Sequence, residues 1–143
     1  MACPYFYPVA PSRATGAGTA MAPLGDQWTG ICHAAPDSPW RPGEATLRPL
    51  CNLGYARGRC ARFPAGDGPD AVRFTVRGAD AAAVHLYYVM ERDHHPFAHG
   101  ALQYSLASKS LVAPLPGGNL SRQAQAYAES YLERMEHKWK ANR

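Results

Sequence analysis

Four cysteines, Cys3, Cys32, Cys51 and Cys60, fall in the first sixty residues of a 143-residue chain, and none follows. Their spacing is Cys-x28-Cys-x18-Cys-x8-Cys. Thiolates bind soft metals, and the pattern of ligands limits which metal site they can build. A zinc knuckle usually draws paired ligands from positions two to four residues apart, so that two sulfurs converge on one small ion. No such pair is present here. A cubane cluster is larger and offers a separate iron at each corner, so single thiolates from separate loops can hold it. The wide spacing therefore points to a [4Fe–4S] cluster with Cys3, Cys32, Cys51 and Cys60 as its ligands. Zn2+ on the same four residues is the alternative, and unliganded thiols or disulfides remain open as well. The dense ferredoxin run and the Cys-x-x-Cys of thioredoxins and zinc ribbons are both absent.

The neighbours of the cysteines suit such a centre. Pro4 stiffens the chain after Cys3, and Gly54 and Gly58 allow close backbone approach between Cys51 and Cys60. Arg57, Arg59 and Arg62 lie beside the last two cysteines, where guanidiniums can offset an anionic cluster. Tyr5, Phe6, Trp40, Tyr55 and Phe63 can keep water away. His33 directly follows Cys32 and is a candidate substitute ligand or supporting donor.

A second concentration of chemistry is Glu91, Asp93, His94, His95 and His99. Imidazoles and carboxylates can bind metal or move protons, which makes an enzyme built on the 91–99 loop an alternative reading. Pro96 argues against a helix, so the four-residue step from His95 to His99 does not place the two on one helical face. His85 reads as a satisfied core or sheet-face residue. No nucleophile elbow, phosphate-binding glycine loop, dinucleotide fingerprint or zincin helix occurs. Gly16-Ala17-Gly18 is only a flexible turn. Arg48, Arg57, Arg59 and Arg62 near aromatics could serve RNA, or a protein partner in a zinc-stabilised module. The net charge of +4 is modest for a nucleic-acid binder.

The length suggests one domain, 1–143, with enough apolar residues to bury a core. The chain opens without a basic segment and a long apolar run, so no secretory signal is expected. No stretch approaches the roughly 18 apolar residues of a membrane helix, so no membrane partner is expected. The reading is a cytoplasmic chain, where thiols stay reduced.

Three regions must position these residues. Residues 1–70 hold 10 of the 13 prolines and read as extended loops with one short helix over 44–55, preceded by Gly43 and ended near Gly54 and Gly58. Residues 71–118 read as an antiparallel meander. Val72, Phe74 and Val76 alternate with Arg73, Thr75 and Arg77, as a half-buried strand should. Gly78-Ala79-Asp80 marks a turn, Val84–Met90 a second strand, Asp93–Gly100 a loop, Ala101–Leu106 a third strand, and Leu111–Leu115 a short edge strand. Residues 119–143 read as an amphipathic helix, helical over 119–141, with Asn119 or Ser121 as cap. Leu120, Ala124, Tyr127, Tyr131, Met135 and Trp139 form its apolar stripe. The expected fold class is α+β: a small antiparallel sheet of three to four strands, covered by the C-terminal helix, with a loop-rich cysteine region wrapping a metal site. The expected role is electron transfer with a redox partner protein, or redox sensing.

Overall fold

The computed structural model describes residues 1–12, 22–115 and 117–141; the Gly16-Ala17-Gly18 turn lies outside them. The architecture is α+β. Two antiparallel sheets enclose the C-terminal helix: a two-stranded ribbon, β1 (Phe6–Pro11) with β2 (Trp28–Cys32), and a four-stranded meander in the order β3 (Ala71–Ala79), β4 (Ala83–Arg92), β5 (His95–Ser105), β6 (Ser110–Leu111). The helix α2 spans Gly118–Ala141. It packs on β1 on one side and reaches β3, β4, β5 and β6 on the other.

The meander forms because its strands alternate. Val72 and Phe74 are buried while Arg73 and Thr75 are exposed, and Leu86, Leu102 and Tyr104 complete the same inner face. The β3–β4 turn falls at Asp80 rather than at Gly78, because the Asp80 carboxylate accepts from the Ala82 and Ala83 amides at 2.8 and 2.9 Å. Gly78 and Ala79 stay in β3 beyond a register shift.

The loop expected over Asp93–Gly100 is largely strand. Asp93 and His94 alone form the turn, both left-handed at φ 51° and 61°, the geometry that two-residue hairpin turns require. Pro96 enters β5 beside the register shift between Met90 and Glu91, where a missing N–H is tolerated. The last strand is only Ser110–Leu111.

The first seventy residues are not all loop. β1 and β2 pair despite Pro8 and Pro11 because the ribbon shifts register between Pro8 and Ala10. The short helix begins as α1 (Glu44–Thr46) and widens into a π-helical turn over Leu47–Asn52. Pro49 lies in the widened part, and a proline ring would clash with the i−4 carbonyl of a regular α-helix.

On α2, Ala124, Ala126 and Ala128 are fully buried, and their small side chains let the helix lie close to both sheets. Phe74 stacks against Tyr127 at 5.8 Å between ring centroids. Two residues outside the apolar stripe, Gln123 and Ser130, are also buried. Conversely Met135 and Trp139, expected in the stripe, are 45% and 60% exposed because the last turns of α2 run past the edge of the fold. Asn119 and Ser121 do not act as simple caps. Asn119 Oδ1 meets His33 Nδ1 at 2.8 Å, and Ser121 Oγ exchanges hydrogen bonds with the backbone of Leu115.

Candidate metal centre

Each cysteine sits on a different segment, and the segments bearing Cys3, Cys51 and Cys32 are tied together by hydrogen bonds. Residue 2 is pinned to the β3 edge, with Ala2 N donating to Val72 O at 2.7 Å and Val72 N returning to Ala2 O at 2.9 Å. The next amide, Cys3 N, donates to Cys51 O at 3.0 Å. The chain then turns through Pro4, with Phe6 N donating to Cys3 O at 3.1 Å. Gln123 of α2, wholly buried, donates through Nε2 to both Cys3 O and Phe6 O at 2.7 Å each. This clamp from the far end of the chain fixes the Cys3 turn.

Cys51 lies in the π-helical turn. The adjacent Asn52, 1% exposed, acts as a one-residue strand against β2. Its Oδ1 accepts from Trp28 N at 2.9 Å, and its Nδ2 donates to Trp28 O at 3.0 Å and Leu47 O at 2.9 Å. Cys32 closes the other end of β2. It pairs with Phe6 of β1 on one side and exchanges backbone bonds with Trp40 on the other, at 2.7 and 3.1 Å. Cys60 ends a turn in which its N–H donates to Ala56 O at 2.7 Å, with Gly58 at φ 82°. That value is open to glycine and strained for other residues.

All four cysteines line one cavity of about 350 Å³, open solvent at its mouth included. The aromatic walls are Tyr5, Phe6, Trp40 and Phe63, with Ala34, Leu50 and Ala56 beside them. Tyr5 meets Phe63 edge to face at 5.4 Å. All four thiols are free; Cys3 and Cys51 are buried, Cys32 and Cys60 partly exposed. Burial pushes the Cys3 thiol up to about 12, although the Tyr5 and Phe6 amides hydrogen-bond to it and oppose the rise. Burial, reinforced by the other three thiols, likewise pushes Cys51 up to about 12. The four sulfurs therefore sense one another electrostatically. Among the described residues, however, no three His, Cys, Asp or Glu side chains gather so as to hold a single metal ion. The four thiols share one cavity without forming a single-ion site.

Some expected neighbours lie elsewhere. Of the three arginines, only Arg62 lines the cavity, its guanidinium 4.4 Å from the Trp40 ring centroid. Arg57 turns to Asp70, Nε to Oδ1 at 2.5 Å, and Arg59 is exposed. Tyr55 points to the β4–β5 hairpin, where it stacks on His94 at 4.1 Å and donates to Glu91. His33 is held by Asn119 and rests on Tyr7 at 5.3 Å, away from the thiols.

The histidines of the 91–99 segment do not converge. His94 stacks on Tyr55, His95 Nδ1 meets Asp93 O at 2.7 Å, and His99 Nδ1 pairs with the Tyr87 hydroxyl. His85 is a sheet-face residue, Nε2 at 3.0 Å from Asp80 Oδ2. The supporting roles of Gln123 and Asn52 were missed from sequence. Gln123 lies outside the apolar stripe of α2, so the helical period gave no signal for it.

No protein-family model, no curated protein and no solved structure matches this chain. Among the described residues no helix is long and apolar enough to cross a membrane.

Proposed function

We propose that this chain holds one [4Fe–4S] cluster through Cys3, Cys32, Cys51 and Cys60, and that it serves one-electron transfer or redox sensing in a reducing compartment. The observation that carries the reading is that four thiols from four separate segments line one aromatic-walled cavity. A polynuclear centre suits thiols that share one cavity without forming a single-ion site, whereas a single zinc ion needs its ligands to meet at one point. When bound, the cluster supplies one-electron redox chemistry. The chain's own residues do the rest. The Tyr5 and Phe6 amides aim at the Cys3 sulfur and favour its thiolate. Arg62 places a cation at the wall, and Tyr5, Phe6, Trp40 and Phe63 limit water. These are the hydrogen-bonding, charge and burial terms that set a cluster potential. Four cysteine ligands leave no coordination site for a substrate, which favours electron transfer to a partner protein over direct catalysis.

The test is an absorption spectrum of anaerobically purified protein, with iron, zinc and acid-labile sulfide assayed on the same sample. The expected result is a brown protein with about four irons and four sulfides per chain, lost in Cys51→Ser. Stoichiometric zinc without sulfide, or full cluster content in Cys51→Ser, would overturn the assignment.

A further inference from the structure

The four-stranded sheet has a second face, away from α2. Its centre is Tyr87, flanked across the strands by the small residues Thr75 and Ala101. The Arg77 guanidinium lies 4.1 Å from the Tyr87 ring centroid, and the His99 ring lies 5.6 Å from it at 36°. Arg73, Thr75, Arg77, His99 and Gln103 are all exposed. No element of the described residues packs on this face: α2 occupies the other one, where Phe74, Leu86 and Leu102 are buried. Two carboxylates are present, and each is already engaged. Glu91 sits 3.6 Å from Arg73, and Asp80 is held by His85 and two amides. Arg77 has no carboxylate partner among the described residues, so its charge is free for an external anion.

We propose that this face binds single-stranded nucleic acid. A base has a flat π surface and a phosphate one negative charge, and a guanidinium stacked over an aromatic ring on an open sheet answers both. Arg77, held over the Tyr87 ring, is the platform: its outer face can stack on a base or its N–H groups take a phosphate, and Tyr87 positions it. Arg73 supplies a second phosphate contact, and Gln103 and Thr75 offer hydrogen bonds to base edges. A duplex hides its base faces and presents only phosphates, so it uses half of this surface. A protein partner would find little apolar surface here: Val89, paired with Arg73 and His99, is half-buried, and the residues around it end in polar or charged groups. The inference is independent of the metal centre, whose arginines lie on other segments.

The test is fluorescence anisotropy with a labelled ten-nucleotide RNA of mixed sequence, the same sequence as DNA, and the corresponding duplex. The intact chain is expected to bind both single strands more tightly than the duplex; a preference between RNA and DNA then identifies the natural strand. Tyr87→Ala should weaken binding roughly 5- to 150-fold, the range for losing one stacked base, whereas Tyr87→Phe keeps the ring and the affinity. Arg77→Ala should lower the slope of log affinity against log salt by about 0.7, one phosphate on a single strand. Arg48→Ala with Arg59→Ala, which removes charge elsewhere, should change little. Circular dichroism of each variant separates lost binding from lost fold, and Tyr87→Phe and Arg77→Ala carry the test if Tyr87→Ala does not fold. The proposal is overturned by no binding at about 100 µM protein, the weak end of non-specific affinity. It is equally overturned by duplex binding as tight as single-strand binding, or by affinity that follows Arg48 and Arg59 and ignores Tyr87 and Arg77.

Discussion

Asn52→Leu tests whether one buried amide holds two cysteine segments together. The substitution keeps the branched shape and heavy-atom count and removes three hydrogen bonds: one to Trp28 N, one to Trp28 O and one to Leu47 O. Trp28 pairs with Pro11 in a register that turns its own N–H and C=O away from β1, so both have only Asn52 to bond. Stranding a buried backbone group costs about 1–3 kcal/mol, and two of them about 2–6. Burying the additional apolar surface of Leu returns about 1–2 kcal/mol. The two ranges leave a net loss of about 0–5 kcal/mol, with about 2–3 kcal/mol at its centre. With an unfolding entropy of roughly 2.1 cal/mol/K per residue over 143 residues, the melting temperature falls by roughly 7 to 10 °C. Urea denaturation followed by Trp fluorescence measures this directly, because Trp28 is at the perturbed site. Iron and sulfide content on the same preparation reads the second consequence: the turn bearing Cys51 loosens from the strand bearing Cys32, so metal loading falls. A variant within about 0.5 kcal/mol of wild type, the range of an ordinary surface change, with full metal content, would refute the reasoning.

Gly54→Ala should be worse than its size suggests. Gly54 has φ +78°, and an added Cβ would come within 2.4 Å of Met1 O. The backbone alone costs about 1–2 kcal/mol, and the displaced N-terminus takes Cys3 with it, so metal content should drop along with thermal stability. In metal-free protein Cys3 and Cys51, both pushed up to about 12, stay protonated at neutral pH. Metal loading must then release those protons, and reconstitution in weakly buffered solution should acidify it and proceed more tightly as pH rises. Alkylation of the same metal-free protein near pH 7.5, read by peptide mass mapping, should modify the partly exposed Cys32 and Cys60 before the buried pair. For Asp70, burial raises its pKa, but the Asp93 amide and the Arg57 guanidinium outweigh that and hold the carboxyl below the usual range. A depressed carboxylate contributes stability above its unfolded value near 3.8, and that contribution is lost as pH falls through the lower folded value. Denaturation midpoints between pH 5 and 2 should fall less steeply in Asp70→Asn than in the parent; parallel curves would remove Asp70 from the acid response.

Much of the meander and α2 was legible because period-two and period-3.6 patterns survive wherever one face is buried and the other wet. Val72 and Phe74 against Arg73 and Thr75 show it plainly. The ribbon β1–β2 was not legible, since Pro8, Pro11 and Gly30 carry loop statistics. It is held by α2 and Asn52, contacts far away in sequence. The β4–β5 turn was hidden for a related reason: Asp93 and His94 adopt the left-handed region without a glycine, so Pro96 and the histidines read as loop when His95–Gly100 is strand. The stripe of α2 was drawn too long, because periodicity does not reveal where the partner sheet ends, and Met135 and Trp139 overhang it. At the cysteines, residue type and spacing picked out the four that line one cavity. Direction was beyond reach: whether Arg57, Tyr55 and His33 face the thiols depends on Asp70, Glu91 and Asn119, each on another element.

The Gln123 clamp has a consequence for how the chain comes into being. The bond from Gln123 Nε2 to Cys3 O spans 120 positions, so the first cysteine acquires its final place only after the last helix exists. During synthesis, the segments bearing Cys32, Cys51 and Cys60 leave the ribosome long before that helix does. A nascent or truncated chain ending before residue 123 therefore presents three cysteine segments and a fourth that keeps its backbone bonds to Val72 and Cys51 but lacks the α2 clamp. The cavity takes its final form only after the chain has been made through α2 and that helix has docked.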